Sequence, residues 1–144
     1  MKNIVAIAVL LISVTIINTS CKKTIEKIKE EKAQDYVVQA MTNGQWKMSW
    51  YRENGTDQAD FNGYEFKYYE NYTVDGIDPQ GNRKLGNWTG NGTTLTTTCD
   101  FPTTAGAPLT KLNGTWSITK NSWTFVEAQQ INGTITKTMR LDKK

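Results

Sequence analysis

From residue 45 onward the apolar residues recur at every second position, and this period constrains the fold more than any other feature of the chain. "WKMSW" sets Trp46, Met48 and Trp50 on one face. "YEFKY" repeats the pattern with Tyr64, Phe66 and Tyr68, leaving Glu65 and Lys67 on the other side. Alternation of this kind belongs to half-buried β-strands. Turn signals punctuate the strands at Asn54-Gly55, Asp75-Gly76, Gly81-Asn82, Asn91-Gly92, Asn113-Gly114 and Asn132-Gly133. Such pairs supply the positive φ angles of tight hairpin turns. The last is the clearest, because "WTFVEAQQI" and "TITKTMRL" flank it directly. Gly133 is expected at positive φ in a two-residue hairpin, whereas "ENGTD" around Gly55 reads as a longer loop.

Eight candidate strands lie between the turns, near 45–52, 60–69, 71–76, 83–90, 93–99, 112–120, 122–131 and 134–142. Sequential strands joined by short turns predict an up-and-down antiparallel sheet. Eight of them close into a barrel, which removes exposed edges and leaves an interior for side chains or one small ligand. The fold class is therefore all-β, an eight-stranded antiparallel barrel, with a β-sandwich as the alternative. "CDFPTTAGAP" is the one long irregular segment and reads as a lid or mouth.

Ahead of the strands, Tyr36, Val37, Ala40 and Met41 recur at three and four residues, one apolar helical stripe. Asn43-Gly44 ends it, glycine supplying the left-handed cap. A short N-terminal helix lidding the domain is the expectation. Residues 22–35 carry nine charges in fourteen positions. Glu26 with Lys29 and Lys27 with Glu31 stand at helical pairing distance, each pair contributing about 0.2–0.5 kcal/mol. Only Ile25 and Ile28 there could seek a core. The segment reads as a solvated spacer, helical in part.

The chain opens on "MKN" and then runs without charge or proline from residue 4 to 17. That is short of the roughly 20 apolar residues a membrane-spanning helix needs. It fits the apolar region of a secretory signal, with basic Lys2 in front and small polar residues behind. With "NTSC" at residues 18–21, the stretch resembles a bacterial lipoprotein signal. The resemblance implies cleavage before Cys21 and acylation of that cysteine. It divides the chain into a signal (1–20), a charged spacer after the lipidated cysteine (21–35) and a domain (36–144). Each buried methylene contributes about 0.8 kcal/mol, so several chains on one cysteine make a lasting anchor. Lys22 and Lys23 add attraction to anionic head groups, on the order of 1 kcal/mol each.

Composition narrows the chemistry. Net charge is +3 and scattered, which is no nucleic-acid footprint. Histidine is absent, and with it the commonest general base and metal ligand. Asp57 with Asp60 and Asp75 with Asp78 lie beside turns, too sparse for the six to eight oxygens of a calcium loop. Neither cofactor nor metal is expected. With Cys21 acylated, Cys99 has no disulfide partner in the chain; it reads as a small buried hydrophobe on a strand face shared with Leu95. Lacking a histidine to activate it, it is no nucleophile, and no enzyme is expected.

Three candidate strands begin alike, with Gly44-Gln45-Trp46, Gly86-Asn87-Trp88 and Gly114-Thr115-Trp116. A short helix, "GQW", "FNGYEFKYYENYTV", "GNW" and "PLTKLNGTW" in that order resemble the lipocalin-like domains of Bacteroidetes lipoproteins over about residues 36–142. The resemblance implies a small barrel on a lipid anchor in the outer membrane, whose interior holds a small hydrophobic ligand or lipid. The candidate lining is Trp46, Met48, Trp50, Phe66, Trp88, Trp116 and Phe125; the alternative use of these aromatics is core packing alone. Surface-exposed lipoproteins of such bacteria resemble one another in an acidic stretch after the cysteine. "KKT" stands there instead, which points to the periplasmic face. A protein-interaction module, such as an inhibitor or accessory subunit of an envelope complex, is the second function class.

Overall fold

The computed structural model describes residues 2–144, with side chains from residue 22 onward. The side chains of Cys21 and of the signal lie outside the described residues. Helix α1 spans Lys2–Thr42. Among the described residues the charged run 22–35 and the apolar stripe 36–41 are one continuous helix, so the helix is longer than the short one expected. The reason is local: no glycine or proline interrupts residues 22–42, and Lys27 meets Glu31 at 4.0 Å. Glu26 and Lys29 form no ion pair. Ile25 and Ile28 stay exposed at 54% and 46%. Gly44, at φ +106°, stops the helix as expected.

The strands are β1 (Trp46–Glu53), β2 (Thr56–Asp57), β3 (Glu65–Tyr68), β4 (Thr73–Ile77), β5 (Arg83–Asn91), β6 (Thr96–Asp100), β7 (Gly114–Asn121), β8 (Phe125–Asn132) and β9 (Ile135–Lys143). From β3 to β9 neighbours in sequence pair antiparallel, and β1 pairs β3 on one side and β9 on the other, the latter from Trp46↔Lys143 to Glu53↔Lys137. That last ladder closes an eight-stranded up-and-down barrel, with β2 as an extra two-residue strand folded back on β1. Leaving β2 aside, strands and sequence segments correspond one to one. The expected strand 60–69 is shorter because Ala59–Phe61 forms a 3₁₀ turn.

The register defines two ends. At one end lie α1, the start of β1, and the hairpin loops after Asn91 and Asn121. At the other, 3₁₀ turns at Ala59–Phe61, Thr103–Ala105 and Leu109–Leu112 bury Phe61, Phe101, Leu109 and Leu112 as a plug. Asn113 ties the plug shut, its side chain accepting from Phe101 N at 2.7 Å and donating to Phe101 O at 2.8 Å. The segment 99–108 is thus a stopper at the end away from α1, not a lid over an open mouth. Its apolar anchors, Phe101 and Leu109, decide this. They press so closely on the sheet that a Cβ on Gly76 would lie 2.5 Å from Leu109 Cδ2, and one on Gly86 2.7 Å from Phe101 Cδ1. Asp75-Gly76 is accordingly mid-strand in β4 and not a turn. Its glycine serves close packing.

Two further turns are informative. Asn132↔Ile135 pairing leaves a two-residue hairpin with Gly133 at φ +60°, as expected. Glu53↔Thr56 pairing makes Asn54-Gly55 equally tight, with φ +50° and +80°, so the longer loop anticipated around Gly55 is absent. Both central residues at positive φ are the signature of a type I′ turn.

Candidate ligand chamber under the N-terminal helix

Not all of the barrel interior is filled. Between α1 and the barrel's helix end is a chamber of about 210 Å³. Its roof is Val37, Ala40 and Met41, with Ala33 and Tyr36 at the edge. Its walls and floor include Trp46, Tyr68, Trp88, Ile118, Val126, Met139 and Leu141. Asn91, Thr96, Thr97, Asn121 and Ser122 supply a polar rim. Among the described residues no charged side chain lines it.

The roof is built by the stripe on α1. Val37, Val38 and Met41 pack against the core cluster. Glycines on β5 and in the loop after it let the helix come close: a Cβ on Gly90 would lie 2.5 Å from Val37 Cγ1, and one on Gly92 2.7 Å from the Ala33 carbonyl carbon. At the helix end, Trp46 Nε1 donates to Met41 O at 2.8 Å. Lys67 Nζ donates to Thr42 O at 2.9 Å and Gly44 O at 2.8 Å. Carbonyls left over by a helix terminus are thereby satisfied. Tyr36 meets Trp123 of the β7–β8 loop edge-on, ring centroids 4.7 Å apart.

Polar groups facing the chamber are few. Trp88 Nε1 donates to Tyr69 O at 3.1 Å, so both wall indoles are already engaged. Tyr68 is different. It is 8% exposed and packs edge-on against Trp88 at 5.2 Å, yet its hydroxyl has no hydrogen-bond partner among the described residues. Among the described residues the one fully occluded side-chain atom lacking a partner is Gln130 Oε1, at the other end, so the Tyr68 hydroxyl still meets open space. Burial, then the neighbouring Cys99, raises the Tyr68 phenol well above its ordinary pKa. Burial likewise pushes the Cys99 thiol up to about 12. Both groups are neutral at neutral pH, and Tyr68 brings no charge to the chamber wall.

Of the seven candidate lining residues, the structure brings Trp46 and Trp88 to the chamber. Met48, Phe66 and Trp116 point inward but lie in the packed core below it. Trp50 and Phe125 are corrections, for both face outward. A bulge between Met48 and Trp50 shifts the register, so Tyr51 takes the inward place and Trp50 lies under the Arg52 guanidinium at 4.4 Å. Phe125 pairs Asp142 on the outer face and carries the Arg140 guanidinium 4.2 Å above its ring. Leu95, expected on a strand face with Cys99, sits in the β5–β6 loop at φ +52°. Tyr68 was visible on the inward face of "YEFKY", and Met139 and Leu141 on that of β9. The part of the chamber that period two could not show is its roof, because which barrel end α1 covers is a tertiary fact.

No known family profile matches the sequence, and no curated protein matches it. Solved structures do match. A DUF4847 family protein from Bacteroides vulgatus superposes with a TM-score of 0.55 at 12% identity, over 75% of this chain and 97% of that one. A lipocalin-like protein from Bacteroides uniformis gives 0.51 at 11% identity, over 72% and 98%. Japanin from Rhipicephalus appendiculatus, bound to cholesterol, gives 0.56 at 4% identity, over 72% and 76%. At these identities the likeness is one of fold, and the fold is a lipocalin-like barrel.

Proposed function

We propose that this chain is a lipoprotein, anchored through Cys21 to the periplasmic face of the outer membrane, whose barrel takes up a small hydrophobic molecule beneath α1. The observation that carries the binding half is the chamber: about 210 Å³ of uncharged, mainly apolar space inside an otherwise packed barrel. An apolar cavity of about 150 Å³ is enough to take benzene, so a ligand of modest size fits. The cholesterol held by Japanin supports the reading that such a barrel can keep an apolar molecule from water. A fully packed interior would have favoured the interaction-module reading, and the chamber favours the binder instead.

Solvent extraction and mass spectrometry of the purified full-length protein test the binding half. A small hydrophobic molecule in stoichiometric amount is expected; a protein that yields nothing and binds no apolar probe refutes it. The anchor rests on Cys21 following the apolar run. Metabolic labelling with a fatty-acid analogue should mark the wild type and not Cys21→Ala, and label persisting in the variant rules the anchor out.

A further inference from the structure

We infer that the Tyr68 hydroxyl is the polar anchor of the chamber, and that the ligand is an uncharged amphiphile with a single hydrogen-bonding group, such as an alcohol. This rests on the reading of the chamber as a ligand site and specifies its chemistry.

The two indole donors of the wall are spoken for. Trp46 and Trp88 give their indole N–H groups to Met41 O and Tyr69 O. At the rim, Thr97 donates to Thr89 O, while the amides of Asn91, whose oxygen accepts from Thr93 and Thr94 N, and of Asn121 belong to exposed residues in reach of water. Tyr68 alone combines deep burial, at 8% exposure, with a hydroxyl that has no partner among the described residues. A ligand oxygen beside it would take up this free hydrogen-bonding group.

The same surroundings select against an anion. No lysine or arginine lines the chamber. Lys67 spends its ammonium on Thr42 O and Gly44 O. Lys143 Nζ stands 5.9 Å from the centroid of the Trp46 ring. A carboxylate would lose its hydration and gain one neutral phenol, which does not compensate a buried charge. A fatty acid is therefore a poor fit and the corresponding alcohol a good one. Size agrees: about 210 Å³ lies below the roughly 300–1,000 Å³ of drug-sized pockets.

Calorimetric titration of the full chain with phenylbutanol, phenylbutanoate and butylbenzene separates the possibilities. Phenylbutanol should bind at least about tenfold more tightly than phenylbutanoate. Tyr68→Phe should weaken phenylbutanol about 5–20-fold, the loss of one hydrogen bond, and leave butylbenzene within about twofold. An unchanged affinity for phenylbutanol in Tyr68→Phe, or equal affinity for acid and alcohol in the wild type, overturns the inference. So does a variant that loses butylbenzene as well, since Tyr68 would then shape the chamber and not anchor a polar group. If the wild type binds none of the three, the ligand-binding reading itself fails.

Discussion

The indole N–H of Trp46, a residue with no exposed surface, donates to the carbonyl oxygen of Met41 at 2.8 Å, fastening the first barrel strand to the last turn of α1. Lys67 fastens the same turn from the neighbouring strand through Thr42 O and Gly44 O. The roof of the chamber is therefore hinged to the barrel at its C-terminal end by donors aimed at helix carbonyls. Lys67→Met keeps the aliphatic stem and removes both hydrogen bonds. It should lower stability by about 1–2 kcal/mol, read from a denaturant melt. No loss would mean that the cap is fully replaced by water.

Gly92→Ala attacks the roof from the other side. Its Cβ would meet backbone of α1 at Ala33, 2.7 Å from the carbonyl carbon, and backbone cannot swing aside as a side chain can. The helix must lift, at about 1–3 kcal/mol. Faster proteolysis within residues 22–35 at an otherwise intact barrel is the expected signature. Wild-type protease resistance in this variant would show that α1 does not pack where the glycine requires.

Turn strain gives a comparison between the barrel's two tight hairpins. Gly55 and Gly133 both have positive φ, and a Cβ on either meets nothing within 4 Å, so Val at either position tests backbone strain alone. The local cost is about 1–3 kcal/mol at each. Gly133→Val should nevertheless lose more global stability, because its hairpin joins two full barrel strands that pair from Phe125↔Asp142 to Asn132↔Ile135. Gly55 joins only the two-residue β2, which can fray without opening the barrel. Equal shifts in the denaturation midpoint would contradict this.

The barrel was readable because its strands alternate cleanly and its hairpins carry Asn-Gly pairs. What period two could not convey is local insertion: one bulge beside Ser49 turns Trp50 outward, and no residue type announces it. Phe125 misled for another reason, since an aromatic on the outer face is hidden by an arginine and not by the core. "CDFPTTAGAP" reads as a lid or mouth by composition. Two apolar side chains, Phe101 and Leu109, make its neighbourhood the barrel's stopper. Of the candidate site, Trp46 and Trp88 were legible, while the unpartnered state of Tyr68 depends on what surrounds it in space.

Cys99 should behave as an inert thiol. With burial lifting it to about 12, its thiolate fraction at pH 8 is on the order of 10⁻⁴, against about a quarter for a free cysteine. In a Cys21→Ser background, a disulfide reagent should react with the folded protein on the order of a thousandfold more slowly than with the unfolded chain. Rapid native labelling would show that this half-buried thiol is as reachable as a free one.

The central claim is that the space beneath α1 admits an apolar molecule, and a crystal soaked with bromobutylbenzene locates that molecule directly. The anomalous signal of bromine should appear inside the barrel, between Val37 and Met41 of the roof and Trp46 and Trp88 of the wall. Bromine only on outer apolar residues such as Leu85 or Ile131, or a chamber found filled by its own side chains, would contradict the account.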